Sequence, residues 1–275
     1  MIAQYHKLAL TAGFVLAIAF TFNACSSDSG GGGGDASSSS GDDGSSSSAT
    51  GSSSSNGPTT DLCAGFVDGT TREHYGKEKK QFCDSRDGQK YVYVEIGTQT
   101  WMAENLNYEA SGSKCFDNLP AKCVTYGKLY NWTTAMAGSA SSDANPSGVK
   151  GICPAGWHLP SEEEWNVLMK SVNPSCTDND DCGAGAGTKL KANSLWSLSY
   201  GIKGTDDFGF SALPGGIGYL DGSFESVEYI GYWWSASEWF SLASGWRMGY
   251  DNYDAYDSPN NKNYLRSVRC VQDYR

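Results

Sequence analysis

From Ser26 to Thr60 the chain offers a folded domain almost nothing to bury. Gly30 to Gly34 is followed by the serine runs Ser37 to Ser40, Ser45 to Ser48 and Ser52 to Ser55, with four Asp and no Lys, Arg or aromatic residue. Such a segment cannot bury enough apolar area to offset the entropy of ordering it. It reads as a flexible tether, with an end-to-end distance on the order of 30 Å and a stretched limit of roughly 115 Å. Any folded domain must therefore be built outside it.

What precedes the tether reads as an export signal. Lys7 supplies a basic start, and Leu8 to Phe22 is almost entirely apolar or small. That run is shorter than the roughly 20 apolar residues of a spanning helix, and it suits the core of a cleaved signal over residues 1–24. Ala24-Cys25 follows, the small residue and cysteine of a bacterial lipoprotein signal. The expectation is a diacylglycerol on the Cys25 thiol and membrane attachment through it. Ser26 and Ser27, rather than Asp, come next; this favours the outer membrane and the cell surface.

After Thr60 the composition changes. Trp, Tyr, Phe and Cys become frequent, and Gly appears singly as turn residues. The length left suits one domain. Residues 61–84 read as a preface closed by Cys63 and Cys83, and residues 85–275 as the main body. Apart from Cys25, eight cysteines remain, an even number that in an exported chain points to disulfides. Cys115 with Cys123 and Cys176 with Cys182 bracket short loops. Cys63 with Cys83 closes the preface, which leaves Cys153 with Cys270. No spacing is CxxC, and only His74 and His158 lie outside the signal, so a zinc site is not expected. The formal net charge of −11 argues against nucleic acid, which rewards clustered Lys and Arg.

Hydrophobic patterning supplies the elements. Tyr91 to Ile96 alternates as a strand, and Tyr126 to Ala137 has a helical face of Leu129, Trp132, Thr133 and Met136. The clearest helix follows Pro160. Ser161 and Glu164 stand three apart as a capping box, and Trp165, Leu168, Met169 and Val172 recur at helical spacing. Phe208 to Leu213, Tyr229 to Trp234, Ser244 to Tyr250 and Tyr264 to Val271 read as strands, with an Asp221-Gly222 hairpin turn between Tyr219 and Phe224. Early helices and a strand-rich second half define an α+β class.

Six segments carry a family resemblance. They are Phe82-Cys-Asp-Ser-Arg-Asp-Gly88, Ile96 to Asn107 with Trp-Met-Ala-Glu-Asn-Leu, Gly151-Ile-Cys-Pro-Ala-Gly-Trp-His-Leu-Pro-Ser161, Gly209 to Gly215, Trp234-Ser-Ala-Ser-Glu238, and Ser267-Val-Arg-Cys-Val271. In this order, from about Phe82 to the C-terminus, they resemble the Fibrobacter succinogenes major paralogous domain, a set of exported proteins with no established activity. Trp157-His-Leu-Pro-Ser-Glu-Glu-Glu-Trp165 also resembles the turn and helix of formylglycine-generating enzymes. That likeness implies a C-type-lectin-like fold with few helices and a small twisted antiparallel sheet. It does not bring the chemistry, because the enzyme's late cysteine pair is unmatched: Cys270 stands alone after Cys182.

No catalytic constellation stands out, and an enzyme is not expected. Nucleophilic catalysis needs a histidine base. His158, between Trp157 and Leu159, reads as a packed histidine, and His74, in the polar preface, as an exposed one. Glu162 to Glu164 are explained by the helix start. Glu104, flanked by Trp101 and Leu106, reads as a carboxylate that caps backbone amides or meets an arginine such as Arg269. No cofactor is expected. Calcium is the one ion whose ligand chemistry two acidic stretches can meet, Asp178-Asn-Asp-Asp181 and the set Asp251, Asp254 and Asp257, although neither follows an EF-hand pattern. The densest signal is aromatic. Trp239, Trp246, Tyr250, Tyr253 and Tyr256 crowd beside Asp251, Asn252, Asp254 and Asp257, with Gly231, Gly245 and Gly249 as turns. Flat aromatic faces next to Asp and Asn suit sugar rings. The expectation is a surface binding or adhesion module for extracellular polysaccharide, and its rival is an envelope-interaction protein with no small ligand.

Overall fold

The computed structural model describes residues 61–177 and 182–274. The signal, Cys25, the tether and Asp178 to Asp181 lie outside them.

The first sheet begins in the preface. β1 (Thr71–His74) turns through Tyr75 and Gly76, both at positive φ, into β2 (Lys77–Cys83). β2 pairs antiparallel with β3 (Lys90–Ile96), and β3 with β4 (Gln99–Met102), so preface and main body share one sheet. The alternating segment from Tyr91 to Ile96 is indeed a strand.

The helix expected over Tyr126 to Ala137 is broken. α1 (Pro120–Tyr126) ends where it was to begin, and α2 (Trp132–Met136) is one short turn. Gly127 is the cause. It has φ +77°, and a Cβ there would stand 2.9 Å from the Leu106 carbonyl. The chain beyond it runs extended, with Lys128 N bonded to Leu106 O at 3.0 Å and Tyr130 N to Arg266 O at 2.8 Å. The apolar spacing marked burial correctly, since Leu129, Trp132 and Met136 are all buried, but not a single helix.

After β5 (Trp157–His158) comes α3 (Glu162–Val172), which matches its reading in full. Ser161 Oγ accepts from Glu164 N at 3.1 Å, and Glu164 Oε2 accepts from Ser161 N at 3.0 Å. Trp165, Leu168, Met169 and Val172 all face the core. α4 (Ala186–Leu190) leads to an irregular stretch where Phe208 to Leu213 was expected as a strand. There Asp206 Oδ1 accepts from Ser211 N at 2.6 Å, and both residues sit at positive φ. A side chain has taken the amide a ladder would use.

The second sheet contains β6 (Gly215–Gly218), β7 (Phe224–Val227), β8 (Ile230–Trp239), β9 (Leu242–Gly249) and β10 (Ala255–Asp257), in the order β10-β9-β8-β6-β7. The Asp221-Gly222 turn joins β6 to β7, and β6 meets β8 in a parallel pair. β11 (Val271–Gln272) returns to the first sheet, between β4 and β5. The expected strand from Tyr264 is thus mostly a crossing. Leu265, Arg266 and Ser267 bridge to Gly218, Tyr130 and Trp233, and only Val271 and Gln272 join a ladder. Among the described residues the architecture is α+β, with two sheets instead of the one small sheet expected, and one parallel pair of strands.

Alternation along β8 sends its adjacent tryptophans, Trp233 and Trp234, to opposite cores. Trp234 packs with Tyr130, Trp132 and Val268, while Trp233 packs with Trp101, Trp165 and Trp246. Gly231 and Gly245 are strand residues, not turns. A Cβ at Gly231 would fall 2.3 Å from the Trp233 ring, and one at Gly245 would fall 2.4 Å from the Trp233 carbonyl. Glycine there makes room for the tryptophan. The disulfides are Cys63–Cys83, Cys115–Cys123, Cys153–Cys270 and Cys176–Cys182, the pairing read from spacing.

Candidate functional site

The expected aromatic surface divides when its residues are placed. Trp246 lies directly across from Trp233 in the β8–β9 ladder and stacks on Trp165 at 6.0 Å. It is 5 % exposed, so it is a core residue and not a ligand contact. The reason is register: cross-strand partners share a face, and this face is covered by α3. Trp246→Ala should cost about 3 kcal/mol, whereas Tyr253→Ala, at an exposed position, should leave thermal unfolding almost unchanged; paired thermal melts check both.

Trp239 closes β8, at the opposite end of the hairpin from Tyr250. It is exposed with its neighbour Phe240, 5.3 Å between rings. At roughly 3.3 Å per residue, the hairpin separates Trp239 from Tyr250 by about 30 Å. The two cannot touch one sugar ring.

At the Tyr250 end the structure assembles a cluster that local sequence could not show. Tyr250 packs edge to face against Tyr229, 4.9 Å between rings, and against Tyr200 at 5.4 Å. Tyr200 is 66 % exposed and Tyr229 45 %. Tyr229 precedes β8, Tyr250 follows β9, and Tyr200 arrives from a distant loop. Only strand pairing and loop return bring them together. The turn that carries Tyr250 is held by a buried ammonium: Lys191 Nζ donates to Gly249 O and Asn252 O, each at 2.8 Å. Burial lowers the Lys191 pKa to about 8, against the opposing pull of Asp251 and Asp254.

The acidic residues of this loop have unequal roles. Asp254 is committed to structure, accepting from Gly185 N at 2.7 Å and from the Tyr256 hydroxyl at 2.9 Å. Asn252 Oδ1 caps the Asp254 amide at 3.1 Å. Asp251 and Asp257 are exposed, as is Tyr253, while Tyr256 is half-buried under Arg247. Among the described residues no group of three or more His, Cys, Asp or Glu is placed to hold a metal ion.

The remaining polar candidates also find partners. His158 is buried between Glu164 and Asp273, as a packed histidine should be. His74 is not exposed; its side chain lies beside Glu104, largely covered. Burial, together with the charges of Lys79, Arg72 and Arg269, lowers its pKa to about 3. Glu104 caps the Val92 amide at 2.8 Å and meets Arg72 rather than Arg269. Arg269 is fully buried and is satisfied by oxygens of Asn105, Phe210 and Ser211.

A family model for the Fibrobacter succinogenes major domain matches residues 94–272. The chain belongs to that family. The matched stretch of this major domain takes in α1 to α4 and β4 to β11, and so includes Tyr200, Tyr229 and Tyr250. The hairpin of β1 and β2 precedes it. No curated protein and no solved structure gives a match.

Proposed function

We propose that this chain is an outer-membrane lipoprotein, anchored through Cys25 at the cell surface, whose domain binds extracellular polysaccharide and performs no catalysis. The fold proposed for it is C-type-lectin-like. The binding surface proposed is Tyr200, Tyr229 and Tyr250, with Asp251, Asn252 and Tyr253 beside it. The observation that carries the reading is the exposed tyrosine cluster. Three rings held against one another keep substantial area in water, where an aromatic side chain ordinarily gains by being covered. Rigid rings bind at low entropic cost, and nearby carboxylate and amide groups suit hydroxyls. A shallow surface of this sort binds in the micromolar to millimolar range, roughly 4 to 8 kcal/mol. Many tethered copies on one cell would raise the apparent affinity by avidity.

Pull-down on insoluble cellulose, xylan and chitin tests it. The full chain should be retained by at least one polysaccharide, and Tyr229→Ala with Tyr250→Ala should release it while the melting temperature stays close to wild type. Trp239→Ala should not release it. Retention that survives loss of the tyrosines would rule out this surface. A folded chain that binds no polysaccharide would leave the envelope-interaction reading in its place.

A further inference from the structure

A polar cleft of about 180 Å³ lies where the β1–β2 hairpin meets the family domain, and none of its lining residues belongs to the tyrosine surface. His74, Tyr75 and Gln89 line it from before residue 94, and Glu104, Asn107 and Tyr126 from within the matched domain. Neither part makes the cleft alone.

Lys90, Thr125 and the phenols of Tyr75 and Tyr126 bring donors to its wall, but the buried polar atoms of its lining that have no partner are acceptors. His74 Nε2 and Asn107 Oδ1 are buried and have no hydrogen-bond partner among the described residues. For the histidine, both Glu104 Oε1, 3.8 Å from Nδ1, and the Ala103 carbonyl favour a proton on the ring. With Nε2 unpartnered, that proton belongs on Nδ1, and Nε2 presents a lone pair. For the amide, orientation is set by a chain of bonds. Gln89 Nε2 donates to Asp87 Oδ2 at 2.8 Å, which leaves Gln89 Oε1 to accept from Asn107 Nδ2 at 3.2 Å. Asn107 Oδ1 is therefore the acceptor left over. Glu104 Oε2 is taken by Arg72 and the Val92 amide, whereas Oε1 receives no donor from the described residues. Three acceptors thus lie around one cleft and ask for donors.

Charge narrows the class. Arg72, Lys79 and Arg269 together disfavour a proton on His74, and the same field disfavours a cationic ligand. A carboxylate ligand could meet Lys90 at the exposed wall, but deeper in the cleft it would face Glu104 and two further acceptors. What fits is uncharged and rich in hydroxyl donors, with C–H faces for the rings of Tyr75 and Tyr126. We propose that this cleft is a second ligand site, which takes a small neutral polyol such as a single sugar ring, and that the hairpin ahead of the family domain determines what it accepts.

The experiment is a titration of the full chain, labelled with ¹⁵N-histidine, with glucose, xylose and galactose, and with glucuronate and glucosamine as charged comparators. At least one neutral sugar should shift the His74 Nε2 resonance at millimolar concentration and leave His158 unmoved. Asn107→Ala should weaken that response roughly tenfold. Tyr229→Ala with Tyr250→Ala should not change it, so failure of the polysaccharide surface and failure of the cleft are distinguishable. No His74 shift with any neutral sugar at tens of millimolar, or an equal shift with the charged ones, would overturn the proposal. The wild-type titration decides this even if the Asn107 variant does not fold.

Discussion

Replacing Cys153 and Cys270 together with alanine should destabilise the domain by about 5 kcal/mol, against about 2.5 for Cys115 with Cys123. The difference follows from loop length, since the first pair closes a separation of 117 residues and the second one of 8. In the chain-entropy model, the longer the loop, the more the bond restricts the unfolded ensemble. The native contacts point the same way. Both sulfurs of the long bridge lie in the core beside Trp157 and Val268. Cys270 O accepts from Met102 N at 3.0 Å, next to a strand only two residues long. Without the bridge, β11 is held to β4 through a single register pair. A domain with total stability of about 5 to 15 kcal/mol would lose a third of it or all of it. Urea unfolding of the two double variants gives the comparison. Equal losses in both would show that native packing, and not loop closure, sets the value of the long bridge.

Where a signal was local, the chain announced its structure. Ser161 and Glu164 need only three residues to form a capping box, and the helix behind them is set by its own spacing. The disulfides were legible because two loops were too short for other partners. The failures have a common physical form. Gly127 breaks the expected helix because Leu106, distant in sequence, occupies the space a side chain would need. Asp206 removes an expected strand by taking the Ser211 amide. Trp246 is invisible as a core residue until β8 and β9 are in register. The tyrosine cluster was half legible: Tyr250 lay inside the aromatic stretch, while Tyr200 and Tyr229 came from elsewhere in the chain. His74 was misplaced because a polar sequence neighbourhood says nothing about a histidine that the fold turns inward beside Glu104. Local chemistry was read well, and long-range proximity was not.

His158 makes the domain's stability depend on pH. Its Nε2 lies 2.7 Å from Glu164 Oε1 and its Nδ1 2.7 Å from Asp273 Oδ1, so both ring nitrogens face carboxylates. Burial is the largest single influence on this ring and lowers its pKa, but the hydrogen bonds and charges of Glu164 and Asp273 together outweigh it, and the net shift is upward from 6.5. A folded-state value raised above the unfolded one contributes stability that is fully present below pH 6.5 and is lost as pH rises through the raised value. The wild-type melting temperature should therefore fall as pH climbs out of the mildly acidic range, and His158→Gln should remove that slope. The cost at low pH should be large. Glu164 is fully buried, and its other oxygen accepts only the Ser147 and Ser161 amides, each at 3.0 Å. Taking away the imidazolium leaves a buried carboxylate without its counter-charge, a loss of about 4 kcal/mol. Adding Glu164→Gln to His158→Gln should recover part of it, because the orphaned charge goes too. Thermal melts of the wild type and both variants between mildly acidic and mildly alkaline pH separate the cases. A wild-type curve that rises across this range would show that the ring is held neutral, with burial dominating the two carboxylates.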